Sequence, residues 1–166
     1  MKREIDKKVR TALIFFIVIL FLSGLTAIPL ETELDFLCRV FPLGTRLGDW
    51  LDTVYRGVAD TNDKYPFLSY GYDWLAFAHF AFAILFIGPL RDPVKNKWII
   101  EFGIIACILI IPFALIAGHF RDIPFWWRLI DCSFGILGIL PLYYVLNQIL
   151  KLESLTEKKY SYEIFE

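Results

Sequence analysis

The sequence predicts an all-α, polytopic membrane protein, a four-transmembrane-helix bundle with an external amphipathic helical loop between helices 1 and 2, and three observations predict it. Of 166 residues, 57% are hydrophobic and 21% charged, whereas an average soluble domain holds about 45–50% apolar residues even when Gly is counted. The apolar residues gather in four runs, and at about 1.5 Å of rise per residue such runs suit a hydrocarbon core about 30 Å thick. The Lys and Arg residues fall unequally on the two sides that those runs define. Sixteen Phe and five Trp demand burial in protein or lipid, which excludes a disordered chain. Ten Gly and three Cys exclude a collagen-like repeat and a disulfide scaffold. A formal charge of −1 gives no electrostatic reason to expect nucleic acid.

Residues 11–30 carry no charge and form the first span. The basic stretch before them resembles the start of a signal peptide. The apolar run exceeds the usual h-region, however, and no Ala-x-Ala-like site follows, so an uncleaved anchor is expected. Residues 73–90 form the second span, its uncharged stretch interrupted in polarity only by His79. Residues 98–119 form the third, with Glu101 one turn inside its start and reaching back to the interface. The fourth covers 124–150; Arg128 and Asp131 stand in its first turns, and Cys132 to Leu146 is uncharged. Residues 151–166 are expected as a cytoplasmic tail, a frayed helix or a docking strip. The whole chain reads as a single transmembrane domain.

Four spans put both termini on one side, and basic residues choose the side. Eleven bases flank the termini and the turn between spans two and three; the other six (Arg39, Arg46, Arg56, Lys64, Arg121, Arg128) lie opposite. Both termini are therefore predicted in the cytoplasm, and loop 31–72 outside. That loop has a pattern of its own. Leu47, Trp50, Leu51, Val54, Tyr55 and Val58 share one helical arc, while Arg46, Asp49, Asp52, Arg56 and Asp60 take the other. Upstream, Thr32-Glu33-Leu34-Asp35 has the form of a capping box opening a short helix that Pro42 ends. Asp60 to Ser69, with Asn62, Asp63 and Pro66, reads as a turn.

In lipid, helices associate through small residues and polar contacts, and three spans carry such stripes. They are Ala76, His79 and Ala83; Cys107, Ile111, Ala114 and Gly118; and Arg128, Asp131, Gly135 and Gly138. Buried against one another, the stripes would close an outer-leaflet pocket holding Asp73, His79, His119, Arg121, Arg128 and Asp131 as candidate ligand-binding residues. An Arg near the interface suits an anionic headgroup or phosphate. The plainer readings are an imidazole bonded to a neighbouring helix for His79, an i, i+3 ion pair for Arg128 with Asp131, and solvated or snorkelling ends for His119 and Arg121. Trp74, Trp98, Trp126 and Trp127, with Trp50 in the loop, are expected as membrane-interface anchors.

No cofactor is expected. Bis-His ligation of haem b needs two imidazoles at one depth, and His119 stands at the rim while His79 lies about two turns in. No zinc-ligand spacing occurs, and Cys38, Cys107 and Cys132 are scattered. Three functions are consistent with these residues. One is binding of an anionic lipid or amphiphile. Another is a structural or accessory subunit of a membrane complex, with a membrane-protein partner or a second copy docking on the external helix. The third is an enzyme using His79 as general base with Asp131 orienting it.

The run Asp73-Trp74-Leu75-Ala76-Phe77-Ala78-His79, with Arg121, Asp131, Gly135 and Gly138, resembles the small VanZ-like membrane proteins over residues 72–142. The resemblance implies a four-span bundle in the bacterial inner membrane, acting in the cell envelope at the level of lipid or cell-wall precursor.

Overall fold

The computed structural model describes the backbone of residues 2–164 and the side chains of residues 3–155. All regular structure among the described residues is helical: α1 (Lys2–Ala27), α2 (Leu30–Val40), α3 (Arg46–Lys64), a 3-10 turn (Pro66–Ser69), α4 (Tyr70–Leu85), α5 (Ile87–Arg91), α6 (Lys97–Phe120) and α7 (Phe125–Ile164). Four stretches are long and apolar enough to cross a membrane, at Arg3–Ala27, Pro66–Arg91, Lys97–Phe120 and Phe125–Leu155. Their large apolar side chains are widely exposed, Phe113 and Phe134 among them, which lipid accommodates and water does not. The chain is an integral membrane protein.

Packing divides the chain into two units, Met1–Val18 with Ile84–Glu166, and Ile19–Ala83. In the first, α6 and α7 run antiparallel along one another through the stripes expected from sequence. A Cβ on Gly135 would lie 2.4 Å from the Cys107 carbonyl oxygen, and one on Gly138 2.7 Å from the Cys107 sulfur. Further along, the Cys132 thiol reaches the Ile111 carbonyl at 3.7 Å. At the opposite end, Gly103 faces Phe86 and Leu142. Leu142, Val145, Ile149 and Leu152 extend this seam as a buried stripe of i, i+3, i+7 and i+10 spacing, and Val9 and Leu13 of α1 are buried in the same unit. Lys97 binds Glu153 at 2.9 Å. These contacts explain why α7 does not end at Leu150: residues assigned to the tail continue its packed face.

In the second unit, Gly24 of α1 meets α4. A Cβ there would stand 2.9 Å from the Ala76 carbonyl oxygen and from the His79 Cβ, and Phe21 lies on Phe80, ring centroids 5.1 Å apart. Ala76 and Ala83 are buried, but the Ala76–His79 face meets Gly24 of α1, a helix outside the three expected stripes. Helix α1 stops at Ala27 because Pro29 disfavours helical backbone in the residue before it, and α2 restarts at Leu30. This start corrects the capping-box reading: Pro29 occupies the N-cap and no side chain caps the helix.

Helix α3 has the predicted amphipathic face, with Leu51 and Val58 buried, and α2 packs along it through Leu34. The Thr45 hydroxyl caps it, accepting from the Gly48 N–H at 3.0 Å. It runs on to Lys64, so Asn62 and Asp63 are helical and only Pro66–Ser69 turns. Gly48 lies 2.2 Å, measured to an ideal Cβ, from the Pro42 carbonyl oxygen, whereas Gly57 faces open space. Gly48→Ala is therefore expected to cost about 1–3 kcal/mol by overpacking, and Gly57→Ala to gain up to about 1 kcal/mol from helix propensity. Thermal unfolding of the two variants in one detergent would show the opposite signs.

The second span is interrupted between α4 and α5. Pro89 lacks the N–H that would bond the Leu85 carbonyl, and its ring crowds that oxygen. Asn96 closes the short α5 by donating to the carbonyls of Gly88 at 3.2 Å and Asp92 at 2.9 Å.

Candidate functional site

The turn joining α6 to α7 is built by backbone hydrogen bonds. Asp122 takes a left-handed conformation, φ 54°. The Ile123 N–H bonds the Gly118 carbonyl at 2.9 Å and the Asp122 N–H bonds that of His119 at 3.3 Å, the Schellman pattern of a helix C-terminus. An Asp in this position obscures the signal that a Gly would have given. Pro124 then starts the next helix.

Arg128, in the first turn of α7, folds back over this end of α6. Its Cδ and Cγ lie against Gly118, the only residue type small enough to leave that room. Its Nε donates to the Ile123 carbonyl at 2.8 Å and an Nη to that of Leu115 at 3.5 Å. The guanidinium carbon lies 5.8 Å from the centroid of the Phe125 ring. A cation at a helix C-terminus meets the negative end of the dipole. Arg128 does not pair with Asp131: among the described residues of its unit no carboxylate reaches it. Of its five N–H groups, two are used by these carbonyls.

His119 and Arg121 are exposed beside this turn, and Trp126 and Trp127 form an edge-to-face pair with centroids 5.5 Å apart. Arg121, Arg128 and His119 are thus brought to one end of the α6–α7 pair, with Asp131, half-buried, one turn further along α7. Trp98 is exposed at the start of α6.

Asp73 and His79 belong to the other unit, on α4. The half-buried His79 bonds the Leu75 carbonyl of its own helix through Nδ1 at 2.8 Å, rather than a neighbouring helix. A carbonyl only accepts, so Nδ1 carries a proton and donates it within its own helix. Tyr70, Trp74 and Phe77 form an edge-to-face series along the same helix. Trp50 is half-buried on α3. Asp73 is exposed and lines a cavity of about 240 Å³ with Glu31, Asn62, Ser69 and Tyr72. The Ser69 hydroxyl donates to Asn62 Oδ1, and Asn62 Nδ2 donates to Glu31 Oε2 at 2.5 Å. This network is absent from the sequence reading, which placed Asn62 in a turn. Its one signal was spacing: Asn62 follows Leu51 and Val58 at i+11 and i+4 on the apolar arc, a polar residue on the buried face.

Cys38, half-buried on α2, has its thiol pushed up by burial first, then by the carboxylates of Asp52 and Asp35. It is expected to alkylate slowly near pH 8 and to accelerate as pH rises past the ordinary thiol range. Asp52→Asn removes a charge that opposes the thiolate and so increases the rate at pH 8. Peptide-resolved mass spectrometry of maleimide labelling would measure both.

Comparison with protein-family models, curated proteins and solved structures finds no match.

Proposed function

We propose that this is a small membrane protein of the bacterial cell envelope that binds an anionic lipid or amphiphile at the α6–α7 turn. The observation that carries the reading is Arg128: a half-buried guanidinium, held by carbonyls and an aromatic ring, with no carboxylate among the described residues of its unit to neutralise it. A phosphate or other oxyanion answers both the charge and the remaining N–H groups. Arg121 adds a second positive charge, and the N-terminus of α7 favours an anion. Placement in the envelope rests on the VanZ-like resemblance. Cytoplasmic termini, which put this turn on the outer face, rest on the distribution of Lys and Arg.

The test is a lipid titration of the detergent-solubilised protein followed by thermal unfolding. Phosphatidylglycerol is expected to raise the midpoint and phosphatidylcholine to leave it unchanged, with the gain lost in Arg128→Gln. Equal responses to the two lipids would reject the reading.

A second reading, an accessory subunit with α2 and α3 as its docking surface, is favoured by Phe36 and Leu43, 63% and 65% exposed outside the candidate spans. An acid–base role for His79 has less support, because the nitrogen an orienting carboxylate would take already donates to Leu75.

A further inference from the structure

Glu31, Asn62, Ser69, Tyr72 and Asp73 line the cavity of the second unit, and their hydrogen bonds have a direction. Ser69 spends its only donor on Asn62, and Asn62 spends one amide N–H on Glu31. Glu31 accepts from Asn62 through Oε2, and Asp73, the second carboxylate of the wall, makes no ion pair within its unit. No Lys or Arg lines the cavity. Thr32 and Tyr72 add hydroxyls that both donate and accept, so the charged groups of the wall are its two carboxylates, the opposite character to the Arg128 turn. An anion is disfavoured here, and a cation bearing N–H groups is what the wall can satisfy.

Size and position narrow the class. At about 30 Å³ per water, about 240 Å³ is the room of roughly eight waters, below the usual drug-sized pocket and suited to a small polar head. Calcium would ask for six to eight oxygens, and no group of three or more His, Cys, Asp or Glu side chains able to hold a metal occurs among the described residues. The cavity lies where α1 ends, at Ala27, and where α4 begins, at Tyr70. These are the ends of two candidate spans, the depth at which lipid headgroups lie. Tyr70 and Trp74, at the same end of α4, are residue types of that interface.

We infer that this cavity binds a primary ammonium group through Glu31 and Asp73, presented by the headgroup of an aminophospholipid or by a small soluble amine. The protein would be reconstituted in nanodiscs of phosphatidylcholine containing a minor fraction of phosphatidylethanolamine, and the lipids retained after detergent extraction weighed by native mass spectrometry. A parallel arm reads protection of the solubilised protein from thermal unfolding by free ethanolamine. Phosphatidylethanolamine has N–H donors and phosphatidylcholine, with a trimethylated nitrogen, has none, so the comparison isolates the ammonium hydrogen bonds. The expected result is enrichment of phosphatidylethanolamine by about tenfold, the worth of one charge-assisted hydrogen bond, falling severalfold in Glu31→Gln and in Asp73→Asn. Asp73→Asn leaves the Ser69–Asn62–Glu31 relay intact, so its effect is not one of misfolding. Protection by ethanolamine without lipid enrichment, lost in Asp73→Asn, supports the same site with a soluble ligand. Absence of both responses, or responses indifferent to Asp73→Asn, would overturn the inference without touching the Arg128 turn.

Discussion

Gly135→Val is expected to be the most damaging single substitution in the spans. Even an ideal Cβ at this position would lie 2.4 Å from the Cys107 carbonyl oxygen, a backbone atom that can retreat only if α6 moves as a whole. Overpacking of a tight contact costs about 1–3 kcal/mol, occasionally more, when side chains can adjust; here they cannot, and the upper part of that range or beyond is expected. In lipid the loss weighs heavily, since helix association depends on close van der Waals contact rather than on exclusion of water. Gly138→Ala, which meets the Cys107 sulfur at 2.7 Å, is expected to cost less. Gly118→Ala meets only side-chain atoms of Arg128, which shift more readily than backbone, and is expected to cost the least of the three while displacing the guanidinium from the Ile123 and Leu115 carbonyls. Unfolding of the three variants in one detergent would rank them Gly135, Gly138, Gly118.

The second large effect is on ligand binding. Arg128→Gln removes the charge and the planar fork together, and loss of a charge-assisted hydrogen bond is worth about 1.5–3 kcal/mol, or roughly 10- to 150-fold in affinity for an anionic lipid. Arg128→Lys keeps the charge without the fork, so its affinity is expected between the two. Arg121→Gln removes an exposed charge, and an effect of a few-fold that fades in salt is expected. Lipid titrations of the three variants at low and high ionic strength would separate these cases. Because the Arg128 guanidinium also serves the Ile123 and Leu115 carbonyls, the Gln variant is expected to melt somewhat earlier even without lipid.

Much of this architecture was legible in the residues. Charge-free runs locate the four spans because lipid tolerates few ionised groups, and the arc from Leu47 to Val58 marks the buried face of α3. The small-residue stripes also predict contact: Cys107 meets Gly135 and Gly138, and Gly118 meets Arg128. What stayed hidden depends on backbone or on distant partners. The start of α2 has no capping side chain to reveal it. The α6 terminus is closed by an Asp in a left-handed conformation where a Gly would have been expected. The partners of Arg128 are carbonyl oxygens, which every residue has, so no spacing points to them. Glu31 and Asn62 lie 31 positions apart, and only the packing of α2 on α3 brings them together. Gly24, which admits α4 to the surface of α1, belongs to no stripe that periodicity selects.

The central claim, that the α6–α7 turn holds an anionic headgroup through Arg128, is tested most directly by weighing the protein with what it retains. Native mass spectrometry of the chain released from nanodiscs of equal phosphatidylglycerol and phosphatidylcholine should show one added phosphatidylglycerol on the wild type and little on Arg128→Gln. Retention of the two lipids in the proportion supplied, or retention of phosphatidylglycerol unchanged in Arg128→Gln, would contradict it.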